Sequence, residues 1–159
     1  MPMRIGDPRP TFEGATEWLN ELQETADDFV SGQPTLVYFW ATSCGICKEN
    51  MPKLNELKAK YKPLGLRTVA VHMQRYEADT DVGGVKAAID EHCIDDVCAI
   101  DNQHKLKDAF LNEQGWVPVY YLFDSEGKLK SRAAGEFGVS VLTGALEKMF
   151  PTETSTAAA

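Results

Sequence analysis

The chain has no apolar run approaching the roughly 18–20 residues that a helical membrane span requires. Positive charge is also short: 16 Lys and Arg stand against 24 Asp and Glu, a net charge of −8 over 159 residues. Nucleic acid is therefore excluded as an expected partner, because gripping a phosphate backbone needs clustered cations. Cysteine is scarce, and four in the whole chain are too few for the disulfide scaffold of a small secreted domain. His72, His92 and His104 are scattered, so each reads as a structural or surface residue rather than a metal ligand. No internal repeat is present. The opening residues, Met1-Pro2-Met3-Arg4-Ile5-Gly6-Asp7-Pro8, contain no signal-peptide apolar segment. The expectation is a cytoplasmic protein, with a trimmed exported form as the alternative.

Hydrophobic residues at 43% and charged residues at 25% are ordinary for a globular domain, and the length suits one hydrophobic core. Residues 1–14 are rich in Pro and Gly and read as an extended arm. Trp18, Leu19, Leu22, Ala26, Phe29 and Val30 have helical spacing, yet residues 17–20 fit a short edge strand equally well. Beyond them, apolar β-branched runs predict strands at 35–40, 66–73 and 97–100. A hairpin follows, with strands 119–123 and 128–134 about the turn Asp124-Ser125-Glu126-Gly127. Helices are predicted at 45–61, with Pro52 inside it as a kink, and at 85–92, 103–111 and 139–150. Residues 74–84 read as a polar loop and residues 151–159 as a disordered tail. The alternation implies one α/β domain over 1–150, a central mixed sheet with helices on both faces. Its first crossovers should be right-handed and its last strand pair antiparallel.

Within this frame, Phe39-Trp40-Ala41-Thr42-Ser43-Cys44-Gly45-Ile46-Cys47-Lys48 carries the chemistry. Cysteines three apart fit the first turn of a helix and can share one disulfide. The buried strand before them delivers the pair to a helix start, where free amides and the macrodipole both favour a thiolate. That setting separates a redox pair from an accidental Cys-x-x-Cys. Cys93 and Cys98 fall at a helix end and in the next strand; a disulfide between them is conceivable, but two reduced cysteines acting as small hydrophobes is the preferred reading.

Taken with Pro52 five residues after Cys47, with Val117-Pro118 just before the hairpin, and with the Asp124–Lys128 turn, this run resembles the thioredoxin superfamily. The wording Phe-Trp-Ala-Thr-Ser-Cys-x-x-Cys-Lys-x-x-Met-Pro and the extra helix between Val71 and Val97 look most like its TlpA/ResA-like branch. The likeness spans residues 6–150. It implies a thioredoxin-like fold and a thiol-disulfide oxidoreductase acting on protein or small-molecule disulfides as a reductant. No cofactor is implied, and a thiol electron donor is needed to restore the pair.

By that resemblance Cys44 is the exposed nucleophile and Cys47 the resolving thiol. Pro118 is expected to be cis, on a loop that offers backbone to an extended substrate, with Val117, Gly45 and Ile46 completing the contact surface. Trp40 is expected to pack beneath the pair. Two departures bear on proton transfer. Thioredoxin carries a buried Asp where this chain has Tyr38, and TlpA/ResA-like relatives often carry a Glu where it has Asn50. Glu49 is adjacent but points about 100° away on a helix. Thioredoxin also has proline where Ile46 stands. Two other readings compete: a thiol peroxidase, suggested by the run from Ile5 to Phe12 though Cys44 lacks the Pro-x-x-x-Thr-x-x-Cys motif, and a redox-sensing or metal-binding interaction module without enzymatic activity.

Overall fold

Residues 17–30, open between strand and helix, turn out to be both: strand β1 (Glu17–Leu19) and the short helix α1 (Ala26–Val30). Asn20 separates them in the left-handed region at φ 53°, and its amide donates to the carbonyls of Ile94 and Asp96, both at 3.0 Å. Thr25 then caps α1 by accepting the Asp28 N–H at 3.1 Å, a hydroxyl filling the role that helix starts require. This computed structural model describes residues 1–151; the tail expected from residue 151 onward lies outside them, except for exposed Pro151.

All six residues of β2 (Thr35–Trp40) are buried, which places it at the sheet's centre. Helix α2 (Gly45–Tyr61) follows with the expected bounds and Pro52 inside. Strand β3 (Arg67–His72), helix α3 (Val82–Glu91), strand β4 (Val97–Ile100) and helix α4 (Lys105–Ala109) come next. The hairpin β5 (Val119–Phe123) and β6 (Leu129–Ala134) and helix α5 (Gly138–Met149) complete the chain. The sheet runs β1-β4-β3-β2-β5-β6. Strands β2, β3 and β4 are parallel, and β1, β5 and β6 pair antiparallel to their neighbours.

Three expectations are corrected. The polar loop at 74–84 contains a 3₁₀ turn (Glu77–Thr80), and α3 begins at Val82, where Asp81 caps it by accepting the Gly83 N–H at 3.2 Å. The helix expected over 103–111 shrinks to five residues, because His104 and Leu111 on either side adopt φ 60° and 54°. Of the two cysteines read as buried hydrophobes, Cys98 is buried but Cys93 is exposed. Cys93 takes φ 56° just past α3, a helix-stop geometry that turns its side chain out of the core.

The N-terminal arm is pinned at the start of β6 and the turn before it. Gly6 N–H donates to Leu129 O at 2.9 Å, Leu129 N–H to Asp7 O at 2.9 Å, and Arg9 N–H to Gly127 O at 2.7 Å. Met3 and Phe12 from the same arm enter the core.

Candidate active site

Strand β2 ends at Trp40, and four residues later Cys44 stands as the N-cap of α2. Its Sγ accepts the Cys47 N–H at 3.0 Å, so the sulfur occupies the place a hydroxyl or carboxylate takes at other helix starts. Cys44 and Cys47 are joined by a disulfide, with Cα atoms 5.3 Å apart. Cys44 is 3% exposed and Cys47 2%. The expectation that Cys44 is the exposed cysteine is thus corrected for the oxidised pair, in which both residues are buried. Ser43, Gly45 and Ile46 around them are exposed.

The bend that aims Cys44 leaves few polar groups free. Cys44 N–H donates back to Ala41 O at 3.0 Å. Thr42 N–H donates to His72 Nε2 at 3.0 Å. Asp79, on the 3₁₀ turn between β3 and α3, accepts from Thr42 Oγ1 at 2.8 Å, from Ser43 N–H at 3.1 Å and from Ser43 Oγ at 2.8 Å. The same carboxylate accepts the N–H groups of Arg75 at 2.9 Å and Tyr76 at 3.1 Å. Burial works to raise the Asp79 pKa, but these bonds outweigh it and hold it at about 2. His72, fully buried, is pushed down to about 4 by desolvation against the pull of Asp79, so near neutral pH its Nε2 is an unprotonated acceptor for Thr42.

At the same end of the sheet, where Val119 pairs with Phe39 across β5 and β2, the Val117-Pro118 bond is cis, as expected. Asn112, 1% exposed, shapes the loop before it: its Oδ1 accepts Trp116 N–H and its Nδ2 donates to Trp116 O, both at 3.0 Å. Val117 is only 8% exposed, whereas Trp116 is 48% exposed; the side chain offered to solvent beside the proline is the tryptophan. Trp40 is buried, edge-on to His72 with ring centroids 4.9 Å apart. Its indole N–H makes no hydrogen bond of good geometry and is turned toward the Cys98 thiol, which burial pushes up to about 12.

The Redoxin family model matches residues 4–146, nearly the whole described chain. The chain belongs to the Redoxin family. It is 42% identical to the thiol-disulfide oxidoreductase YkuV of Bacillus subtilis (strain 168) over 140 residues, covering 88% of this chain and 92% of that protein. The thiol-disulfide oxidoreductase ResA of Bacillus anthracis is 30% identical over 149 residues, covering 94% of this chain and 80% of that protein. A solved solution structure, described as a thioredoxin-like protein in the oxidized form, superposes with a TM-score of 0.82 at 39% identity, covering 94% of this chain and 99% of that one. With the disulfide at the helix start, these likenesses make this Redoxin-family chain a TlpA/ResA-like member of the thioredoxin superfamily with a thioredoxin-like fold, and a thiol-disulfide oxidoreductase.

A carboxylate does lie behind β2 in this Redoxin chain, although Tyr38 fills the position where an Asp was sought. Tyr38 Oη donates to Asp96 Oδ2 at 2.7 Å, and Lys58 Nζ donates to the same oxygen at 2.5 Å. Lys62 Nζ reaches Asp96 Oδ1 at 2.7 Å, and Thr68 Oγ1 donates to that oxygen as well. Burial tends to raise the Asp96 pKa, but Lys58 and Lys62 reverse this and hold it at about 2. Asp96 is thereby committed as an anion to binding α2 onto the sheet. Glu49 is exposed, and Asn50 donates to Glu136 O at 3.3 Å, tying α2 to the entry of α5. Tyr120, beside Asn50, is pushed up to about 12 by burial, which the Asn50 contact offsets in part.

Sequence reading found the disulfide-forming cysteine pair and the cis-proline, and missed Asp79, Asn112 and the bonding role of His72. His72 and Asp79 act on backbone brought near by the fold, whereas Asn112 braces Trp116 four residues on. Asn112 had one local signal, the Gly115 turn that follows it; Asp79, one acid among many, had none.

Proposed function

We propose that this oxidoreductase works as a reductant, with Cys44 as the attacking thiolate and Cys47 as the resolving thiol. The observation that carries the role of Cys44 is its place at the N-cap of α2, its sulfur already accepting the Cys47 N–H at 3.0 Å, because a donor aimed there stabilises negative charge on that sulfur. In the dithiol form, Cys44 S⁻ attacks one sulfur of a substrate disulfide, the substrate S–S bond breaks, and the departing thiolate takes a proton. The Cys47 thiolate then attacks Cys44 Sγ. The second substrate sulfur leaves, two electrons have passed to the substrate, and the Cys44–Cys47 disulfide has formed. A thiol donor must reduce it again. Gly45 and Ile46 supply no charged or hydrogen-bonding side chain to hold a thiolate at Cys44. The dipeptide thus adds nothing to the stability that the helix start gives the reduced form, and this keeps the couple toward the reducing end of the range.

Gly45, Ile46 and the backbone of Val117 and Pro118 form the substrate side of the reading, with buried Trp40 as a wall behind them, and a thiol-rich compartment such as the cytoplasm is its setting. The disulfide of a protein or of a small molecule serves as substrate. Equilibration with a dithiol redox buffer tests direction: a potential near about −270 mV is expected, and one near about −120 mV would make the protein an oxidant. The roles are tested by trapping. Cys47→Ser is expected to accumulate a mixed disulfide with substrate while Cys44→Ser forms none; the reverse pattern exchanges the two assignments.

A further inference from the structure

Beside the reactive pair, the β3–α3 connection carries Arg75 and Tyr76, both exposed. Arg75 is fixed at two points. Its backbone N–H donates to Asp79 at 2.9 Å, and its guanidinium donates to Ser43 Oγ from Nε at 3.2 Å and from Nη2 at 3.1 Å. Ser43 Oγ in turn donates to Asp79 at 2.8 Å, so one hydroxyl, accepting from the arginine and donating to the carboxylate, links all three. The guanidinium also lies 5.4 Å from the centroid of the Tyr76 ring. Among the described residues no carboxylate comes within ion-pair distance of it; even Glu77, two residues on, makes no such contact. The result is a pre-oriented cation with unused N–H donors, held against the residue that immediately precedes Cys44.

A long side chain on a surface ordinarily loses much of its binding energy to the entropy of being ordered. Arg75 is already ordered in the oxidised protein. Its fork geometry suits a carboxylate. Resting on the reading of Cys44 as the sulfur that meets substrate, we propose that Arg75 is a specificity-determining residue that receives a carboxylate flanking the substrate disulfide. The substrates favoured are disulfides in an acidic setting: a peptide with Asp or Glu next to its cysteine, or a small disulfide bearing carboxylates. The chain's net charge of −8 works against such substrates at long range. That field is screened beyond about 8 Å at physiological salt, whereas a direct contact with Arg75 is weakened less there and is lost only at high salt.

The test is a comparison of kcat/KM for matched disulfides, using the full chain and a dithiol donor. One set is a cystine-bridged peptide with Asp, Asn or Lys beside the cysteine. The other is small: dithiodipropionate, hydroxyethyl disulfide and cystamine. The wild type is expected to prefer the acidic member about ten-fold over the neutral one, through KM, and to lose that preference as salt rises. Arg75→Gln should bring the acidic-to-neutral ratio close to one, Arg75→Lys should keep part of it, and Arg75→Glu should invert it. Preference within the peptide set alone, or the small set alone, identifies which source of carboxylate is read. A wild-type ratio near one in both sets overturns the proposal. So does an Arg75→Gln loss that is proportional across acidic, neutral and basic disulfides, since that places the effect on Cys44 rather than on the substrate. Failure of the wild type to reduce any disulfide overturns the underlying reading, and this inference with it.

Discussion

His72 has no contact with solvent and accepts the Thr42 N–H through Nε2. Protonation would place two donors face to face at that bond. With its folded pKa near 4 against about 6.5 for an unfolded histidine, the unfolded chain binds a proton between those values that the folded chain does not. Stability contributed by neutral His72 is therefore present above about pH 6.5 and falls as pH drops toward 4, by about 3 kcal/mol across the window. Urea unfolding at a series of pH values should record this slope. His72→Gln, which can still accept from Thr42, should flatten it; an unchanged slope in the variant would assign the effect elsewhere. At this scale the sequence was read unevenly. A cysteine pair three apart declares itself because its chemistry depends on local spacing. His72 and Asp79 do not, because each acts on a backbone segment some thirty or more positions away, and nothing local distinguishes them from other polar residues.

At the level of the elements, helix α5 meets the hairpin through a glycine. A Cβ added at Gly138 would stand 2.9 Å and 3.0 Å from two ring atoms of Tyr120, and that ring is 2% exposed and has no room to yield. Gly138→Ala is expected to lose about 1–3 kcal/mol through overpacking. Gly144→Ala in the same helix meets nothing within 4 Å and should gain up to about 1 kcal/mol from helix propensity. Thermal unfolding of the two variants should move in opposite directions, and a loss in both would mean that α5 tolerates no added methyl for reasons other than Tyr120. The strands and α2 were legible because hydrophobic period and burial agree there: β2 is buried along its whole length and reads as an unbroken apolar run. The connections after α3 and on either side of α4 were not. Their ends are set by positive-φ residues at Cys93, His104 and Leu111, none of them glycine, so the usual mark of a left-handed stop is missing.

Across the whole molecule, the sheet is closed at its two margins by different means. Strand β1 is only three residues long. Strand β6 is longer, but the arm bonds to it around Leu129 and a bridge joins Pro8 to Lys128. Removing residues 1–9 would take Met3 from the core and free the Leu129 backbone groups. The shortened chain is expected to unfold at lower urea and to self-associate at high concentration, as measured by light scattering; a monomer of unchanged stability would show the arm to be dispensable. Such an arm was legible as extended Pro- and Gly-rich chain, but its docking place was not, since strand order cannot be read from local pattern.

The pinned arm also carries a consequence for growth. A sheet extends when one copy's outer strand templates the next, and here one margin is three residues long and the other is engaged at its first residue, Leu129, by the chain's own arm. Both features work against edge-to-edge growth of the six-stranded sheet.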